Sequence, residues 1–344
     1  MAAIGNTYLS LADLFKQKEG DDSVTSAIIE LLKETNPILD DMMMVECNNG
    51  TNHKSTIRTG LPEATWRKLY QGVQPQKSST AQIQDTTGML EARSEIDSDL
   101  VRLSGNNNQF RLNEATAFLE GMNNQMATTL FYGDTTTHPE RFMGLAPRFN
   151  TYRSPANAKS KDTADQVIDA GGTGSDLTSV WFVVWGDRTA HGIYPKGSSA
   201  GLNRQDLGEI DADDPSGGKY RAMAEIFKWH IGMSVRDYRY VVRIANIDVS
   251  ELIAGNVDIY ALMRKAYYRL HQRMVTGGRA AIYCNRDVLE ALDAGTTPTK
   301  STAGGTVVRL SPMEVDGREV MGYRGMPVRE CEAILSTESA VPSV

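Results

Sequence analysis

The chain has no apolar run approaching the roughly 18 residues a membrane-spanning helix needs, no block of lysine and arginine, no Cys-x-x-Cys pair and few aromatics. The first absence argues against a membrane protein. The opening stretch, MAAIGNTYLSLADLFKQ, lacks a basic segment followed by an apolar core, so no signal peptide is expected. The second absence argues against a protein that grips nucleic acid through its phosphates, which takes a basic face. The net charge is −7, and basic residues are interleaved with acids, as in Glu63, Arg67 and Lys68 or Glu91, Arg93 and Glu95. Cys47, Cys284 and Cys331 are odd in number and far apart, which reads as reduced thiols in a cytosolic setting.

Chemistry-bearing motifs are missing too. No GxGxxG opens a helix, and GTTPTKS at 295–301 lacks the glycine before Lys300 that lets backbone amides wrap a phosphate, so it reads as a flexible loop. The five histidines, His53, His138, His191, His230 and His271, are scattered, with no HExxH or Cys/His ligand spacing. No GxSxG nucleophile elbow occurs. Asp206, Glu209, Asp211, Asp213 and Asp214 cluster in what reads as a long acidic loop over 197–218, but their spacing misses the calcium-loop pattern. No catalytic residue, cofactor or metal site is expected. The rival reading, a cytosolic α+β enzyme, would have to use that acidic loop or His191 near the apolar run at 181–186.

What is present begins with size. A chain of 344 residues with 40% hydrophobic and 23% charged residues can bury a large core, in two domains. From 48 to 108 it runs with hardly any core pattern, yet Trp66, Leu69, Tyr70, Val73 and Ile83 are spread through it. A disordered linker would lack such anchors, and a compact domain would not tolerate so long a loose stretch. An extended arm that finds its buried surface on another molecule satisfies both, which points to assembly rather than catalysis. Within it, 64–70 reads as a strand or a single helical turn, and the pattern turns extended from Ala81.

Helix-period stripes at Leu9, Leu11, Leu14 and Phe15, and at Val24, Ile28, Ile29, Leu31 and Leu32, predict two helices before Pro37, followed by a short strand at 42–47. Leu112, Ala115, Leu119, Met122, Met126 and Leu130 predict one long helix over about 114–132, with Asn113 as N-cap and Gly133 as left-handed C-cap. The apolar run at 179–186 predicts a buried strand, with 191–195 as its hairpin partner. Strand-like stretches at 224–235 and 239–247 are expected to pair. An amphipathic helix at 257–274 carrying His271, a strand at 280–283, a helix capped by Asn285, a strand at 307–310 and a hairpin turning at Asp316 and Gly317 complete an α+β pattern.

Several of these stretches carry a resemblance. TGLPEATWRKLYQGVQPQKSSTAQIQDTTGMLEARSEID (59–97), FRLNEATAFLEGMNNQMATTLFYGD (110–134), RFMGLAPRF (141–149), WFVVWGDRTAHGIYPKGSSAGL (181–202), IYCNRDVLEAL (282–292) and YRGMPVRECEAIL (323–335) together resemble a major capsid protein of tailed bacteriophages, in the branch with short-tailed members. The resemblance implies the tailed-phage major capsid fold. Its parts would be an N-terminal arm (1–47), an extended loop (48–82), a peripheral domain with a long spine helix (83–150 and 219–245, spine about 114–132), an axial domain (151–218 and 246–335) and a C-terminal tail (336–344).

It implies no enzyme but a structural subunit of the virion, self-assembling in the host cytoplasm as hexamers and pentamers into an icosahedral shell around double-stranded DNA. A net-acidic shell suits that role, because it encloses DNA without gripping it. An encapsulating-compartment shell is the nearer alternative. The arm is too short for a built-in scaffolding segment, so a separate scaffolding protein, or a precursor longer than this chain, is expected, with a portal and decoration proteins as further partners. The candidate inter-subunit contacts are Arg58, Trp66, Arg67, Lys68, Leu69 and Tyr70 on the loop, and Glu120 on the spine helix.

Overall fold

The computed structural model describes residues 36–344 apart from 105–106, 155–156, 158–159, 214–215, 274–275, 297–309 and 316. The two helices expected before Pro37, most of the 295–301 loop and of the 307–310 strand, Asp214 and Asp316 lie outside the described residues. In chain order the elements are α1 (Ile38–Asp41), β1 (Met44–Glu46), β2 (Asn52–Gly60), β3 (Ser79–Asp97), α2 (Ser98–Leu103), α3 (Asn107–Tyr132), α4 (Leu145–Arg148), β4 (Val167–Asp169), β5 (Leu177–Trp185), β6 (Ala190–Tyr194), β7 (Leu202–Asp213), β8 (Lys219–Val235), β9 (Val241–Asp248), α5 (Val249–Ile253), α6 (Ile259–Arg269), β10 (Arg279–Cys284), α7 (Arg286–Thr296), β11 (Ser311–Val315), β12 (Arg318–Tyr323) and β13 (Met326–Glu330). By their contacts they fall into two units: Pro37–Gly88, Thr129–Ala200 and Ile231–Val344 form the larger, and Met89–Thr128 with Gly201–His230 belong to the smaller.

The larger unit is organised by β5. All nine of its residues are buried, so both faces and both edges must be covered. Its edges are taken by β9 and β10, both antiparallel, and the sheet runs β4-β9-β5-β10-β13-β12-β11. On one face Val180, Phe182 and Val184 meet Met263 and Ala266 of α6, Leu270 just past its end, and Val288 and Leu292 of α7. Each such buried side chain contributes about 1.5–3 kcal/mol. On the other face Trp181 meets Phe131 and Phe149, with ring centroids 6.2 Å apart in each pair. The helices start where their caps dictate: Asp258 accepts from the Ala261 N–H at 3.0 Å and Asn285 from the Val288 N–H at 3.1 Å, each contributing about 1 kcal/mol.

Two expected pairings are corrected. Strand β6 is not the hairpin partner of β5, which it meets only at Trp185 and Ala190. With both edges of β5 occupied, β6 pairs with β1 and β8 instead. Nor do β8 and β9 pair with each other. Every residue of β9 up to Ile247 is buried, so it sits inside the sheet between β4 and β5. The helix α6 also ends earlier than expected, and His271 lies beyond it, its N–H donating to the Arg239 carbonyl at 3.1 Å.

The spine helix α3 has 26 residues, roughly 39 Å at 1.5 Å per residue. It starts before residue 114 because Phe110 is buried with Ile96, Leu100 and Val101 in the smaller unit, giving the first turns an apolar anchor. Asn113 is therefore not the N-cap but an interior residue, accepting from the Gln109 amide at 2.8 Å. Gly133 is not left-handed. A Cβ there would lie 2.5 Å from the Phe142 carbonyl oxygen, so glycine is required by close approach of the chain.

The acidic loop is a strand. β7 pairs with β8 from Leu202 opposite Trp229 to Asp213 opposite Lys219, with a bulge at Asp206 and Gly208. Its acids face cations: Asp206 lies 2.8 Å from Arg111, Glu209 and Asp211 lie 3.5 and 3.6 Å from Arg221, and Asp213 lies 3.2 Å from Lys219. Beneath them, buried Glu225 bridges Arg111 at 2.5 Å and Arg204 at 2.8 Å. These carboxylates have charge partners and form no metal cage among the described residues.

Candidate assembly interface on the arm

Strands β2 and β3 form an antiparallel arm, paired from Asn52 opposite Thr86 to Gly60 opposite Ser79, with a bulge between Arg58 and Gly60. Its root is held by buried polar groups. The Asp85 carboxylate accepts from Arg148 at 2.8 Å and from the Ser234 hydroxyl at 2.7 Å. Arg236 donates to Ser55 Oγ at 3.1 Å and contacts His53 Nε2 at 2.5 Å. The His53 and His191 rings meet edge-on, centroids 5.4 Å apart. The Asn48 side chain donates to the Lys54 carbonyl at 2.7 Å and accepts from its N–H at 2.9 Å.

Electrostatics tie the root to pH. Burial first, then the Arg236 guanidinium and His53, push the His191 imidazole down to about 4 from 6.5. Burial and Arg236 lower His53 as well. A histidine whose folded-state pKa lies below its unfolded value is neutral in both states above about pH 6.5 and costs nothing there. As pH falls from 6.5 towards 4, only the unfolded chain takes the proton, and stability falls. For His191 the loss reaches on the order of 3 kcal/mol. Urea unfolding of the unassembled subunit across that window should show this slope, and His191→Asn should flatten part of it. Equal slopes for the two proteins would refute the assignment.

Beyond Gly60 the arm changes character. Residues 61–78 form neither strand nor helix, which corrects the expectation for 64–70. Few apolar contacts favour either. The tip is closed by the Glu63 N–H donating to the Gln76 side chain at 2.7 Å and by Thr59 donating to Ser79 at 3.0 Å. Trp66 is 99% exposed, Leu69 85%, and Tyr70 is fully exposed with φ +68. That region is rarely adopted by a residue with a bulky side chain. Leu61 and Val73 are exposed beside them; sequence reading took Leu61 only as part of a turn. Arg58, Arg67 and Lys68 are exposed, and no carboxylate among the described residues lies within 4 Å of them. Six of the seven sequence-derived candidates thus share the arm. Glu120 lies half-buried on α3 in the smaller unit.

Soluble monomers rarely leave apolar groups of this size projecting together. A rigid root with an apolar, cation-flanked tip has the chemistry of a docking element. It holds no arrangement of nucleophile, base and orienting group: His191 is fully buried, and no well-formed hydrogen bond reaches either of its ring nitrogens among the described residues.

Residues 19–342 match the family described as Major capsid protein GP7. A chain of the near-atomic structure of bacteriophage Epsilon15 is 34% identical, with 99% of each chain covered and a TM-score of 0.77. The bacteriophage JBD30 capsid is similar in fold, at 11% identity, with 90% of this chain and 95% of that one covered and a TM-score of 0.50. None of the curated protein sequences compared matches significantly. The chain belongs to the major capsid protein GP7 family and is a structural subunit of a phage capsid shell, with the tailed-phage major capsid fold and no enzymatic role.

Proposed function

We propose that copies of this chain assemble through the arm into hexamers and pentamers that close an icosahedral shell around phage double-stranded DNA. The observation carrying this reading is the arm itself, with a root locked by buried hydrogen bonds and a tip whose Trp66, Leu69 and Tyr70 bury nothing within the subunit. Laid over a neighbouring copy, those side chains lose their water, and Arg58, Arg67 and Lys68 meet acids of that copy. Glu120 on the spine helix is a further contact.

On this reading 1–47 is the N-terminal arm, 48–82 the extended loop, and 336–344 the tail. The peripheral domain takes 83–150 and 219–245, joined by β7 because it forms one hairpin with β8. The rest of 151–218 and 246–335 is axial. The net charge of −7 suits a wall that encloses DNA without sequence-specific binding. A separate scaffolding protein guides assembly in the host cytoplasm, with a portal and decoration proteins as further partners.

The test is electron microscopy with size-exclusion chromatography of the expressed chain, alone and with its phage's scaffolding protein. Closed shells, rings or tubes are expected. A monodisperse monomer or dimer under both conditions would overturn the reading. Nuclease-protected DNA in shells from infected cells separates a phage capsid from an encapsulating compartment.

A further inference from the structure

Two patches of opposite charge lie at opposite ends of α6 in the larger unit. At the C-terminal end, the Arg273 guanidinium lies 4.7 Å from the Tyr267 ring centroid and 5.2 Å from that of Tyr268. Arg324, from the turn between β12 and β13, covers the same rings at 5.3 and 5.4 Å and donates to the Tyr268 hydroxyl at 3.1 Å. Cation–π stacking holds both guanidinium groups while leaving their charge unneutralised. Arg264 and Lys265 are exposed nearby on α6. No carboxylate among the described residues lies within 4 Å of these four cations. Tyr268 is 64% exposed. Arg324 keeps φ +52 in a turn with Gly325 at φ +82, a conformation a long side chain seldom adopts.

At the N-terminal end is a groove of about 600 Å³ between α5, α6 and α7. Asp258, Asp287 and Glu290 line it, no lysine or arginine does, and Ile253 stands at its edge, 69% exposed. The helix between the two patches has 11 residues, roughly 16 Å.

A twofold contact needs one self-complementary surface. Two different, mutually complementary surfaces on one chain make a head-to-tail contact, which generates a ring when its rotation closes. We propose that the Arg/Tyr patch of one copy docks in the acid-lined groove of the next, and that this contact closes the capsomer ring. Arg324 and Arg273 face Glu290 and Asp287, and Tyr268 packs on Ile253. Charge complementarity names a second copy as the occupant, because on one chain neither the four cations nor Glu290 and Asp287 have an ion-pair partner within 4 Å among the described residues, Asp287 accepting only from the Ser336 hydroxyl at 3.2 Å. It also fixes register, since shifting the copies sets like charges together. The inference rests on self-assembly as proposed above and adds a contact distinct from the arm.

The test reverses charges and then swaps them. Arg324→Glu and Glu290→Arg should each lower the assembled fraction about tenfold at fixed concentration, with the melting temperature of the unassembled subunit unchanged. The double variant should return to near wild-type assembly. Single variants that assemble like wild type, or a folded double variant that does not recover, would overturn the contact.

A second measurement uses Ile253→Cys with Tyr268→Cys. The native Cys47, Cys284 and Cys331 are buried, so mild oxidation of assembled shells reports the introduced pair. A ladder of cross-linked copies up to the capsomer is expected; monomer alone would overturn the proposal. The wild-type chain, assembled in parallel, reports self-assembly itself, so loss of this contact and loss of assembly are told apart.

Discussion

Replacing Trp66, Leu69 and Tyr70 together by serine should leave the subunit folded and abolish shells. The three side chains are exposed almost completely, so the folded subunit has no burial to lose by their removal. The change also lets position 70 relax from its left-handed φ of +68. Any loss must come from contacts between copies. Buried aromatic anchors at interfaces contribute about 2 kcal/mol or more each, so losing the two aromatics weakens each contact roughly a thousandfold. In the proposed assembly every copy both gives and receives an arm, so the effect multiplies around a shell. Native mass spectrometry and electron microscopy should find monomers where wild type forms shells, with matching circular dichroism and melting temperature. Normal shells from the triple variant would rule out the tip as the docking element. A variant that melts well below wild type would mean the tip packs on its own subunit.

Glu338→Ala should destabilise the subunit by about 3–5 kcal/mol, because it strands a buried cation. Arg243 is 4% exposed and lies inside the larger unit, 4.9 Å from the Trp181 ring centroid. It donates to Ser179 Oγ at 3.0 Å, to the Phe149 carbonyl at 2.9 Å and to Glu338 at 2.8 Å. Glu338 also accepts from the Tyr132 hydroxyl at 2.5 Å and from Ser179, while Tyr132 accepts from the Leu335 N–H at 3.0 Å. Removing the carboxylate leaves a guanidinium without its counter-charge and two hydroxyls without their acceptor. Replacing both partners, Arg243→Met with Glu338→Met, should recover much of the loss, since no buried charge is then unpaired. Urea unfolding of the unassembled subunit measures both. A Glu338→Ala loss below about 1 kcal/mol, against the range given for breaking a buried pair, would mean that water reaches the site.

Where sequence reading succeeded, the signal was local. The run at 179–186 reads as a buried strand because β5 is covered on both faces, so nearly every position is apolar. The stripe Ile259, Met263, Ala266 and Leu270 reads as a helix face because one cluster buries all four. Asn285 reads as a cap because the donor it accepts from, the Val288 N–H, is three residues away. Where reading failed, the deciding partner was distant in the chain. β7 reads as an acidic loop because Arg111 and Arg221, which answer its carboxylates, lie on other elements. Helix α3 starts earlier than its stripe suggests because Phe110 finds Ile96 and Val101 across a break in the pattern.

The division for the arm is the same. Apolar residues set in a polar run are a property of composition, so the sequence by itself set Trp66, Leu69 and Tyr70 apart from an ordinary linker and determined that the chain carries a capsid-type succession of elements. Only the tertiary structure decided that these side chains project into solvent. Exposure depends on what the rest of the chain brings near. Here Asp85 of the arm meets Arg148 and Ser234, and Ser55 meets Arg236, so residues distant in the chain hold the root. Pairing of β4 with β9, of β5 with β10 and of β7 with β8 was decided at the same level, since a strand's partner follows from which edges remain open once the most buried strands are covered.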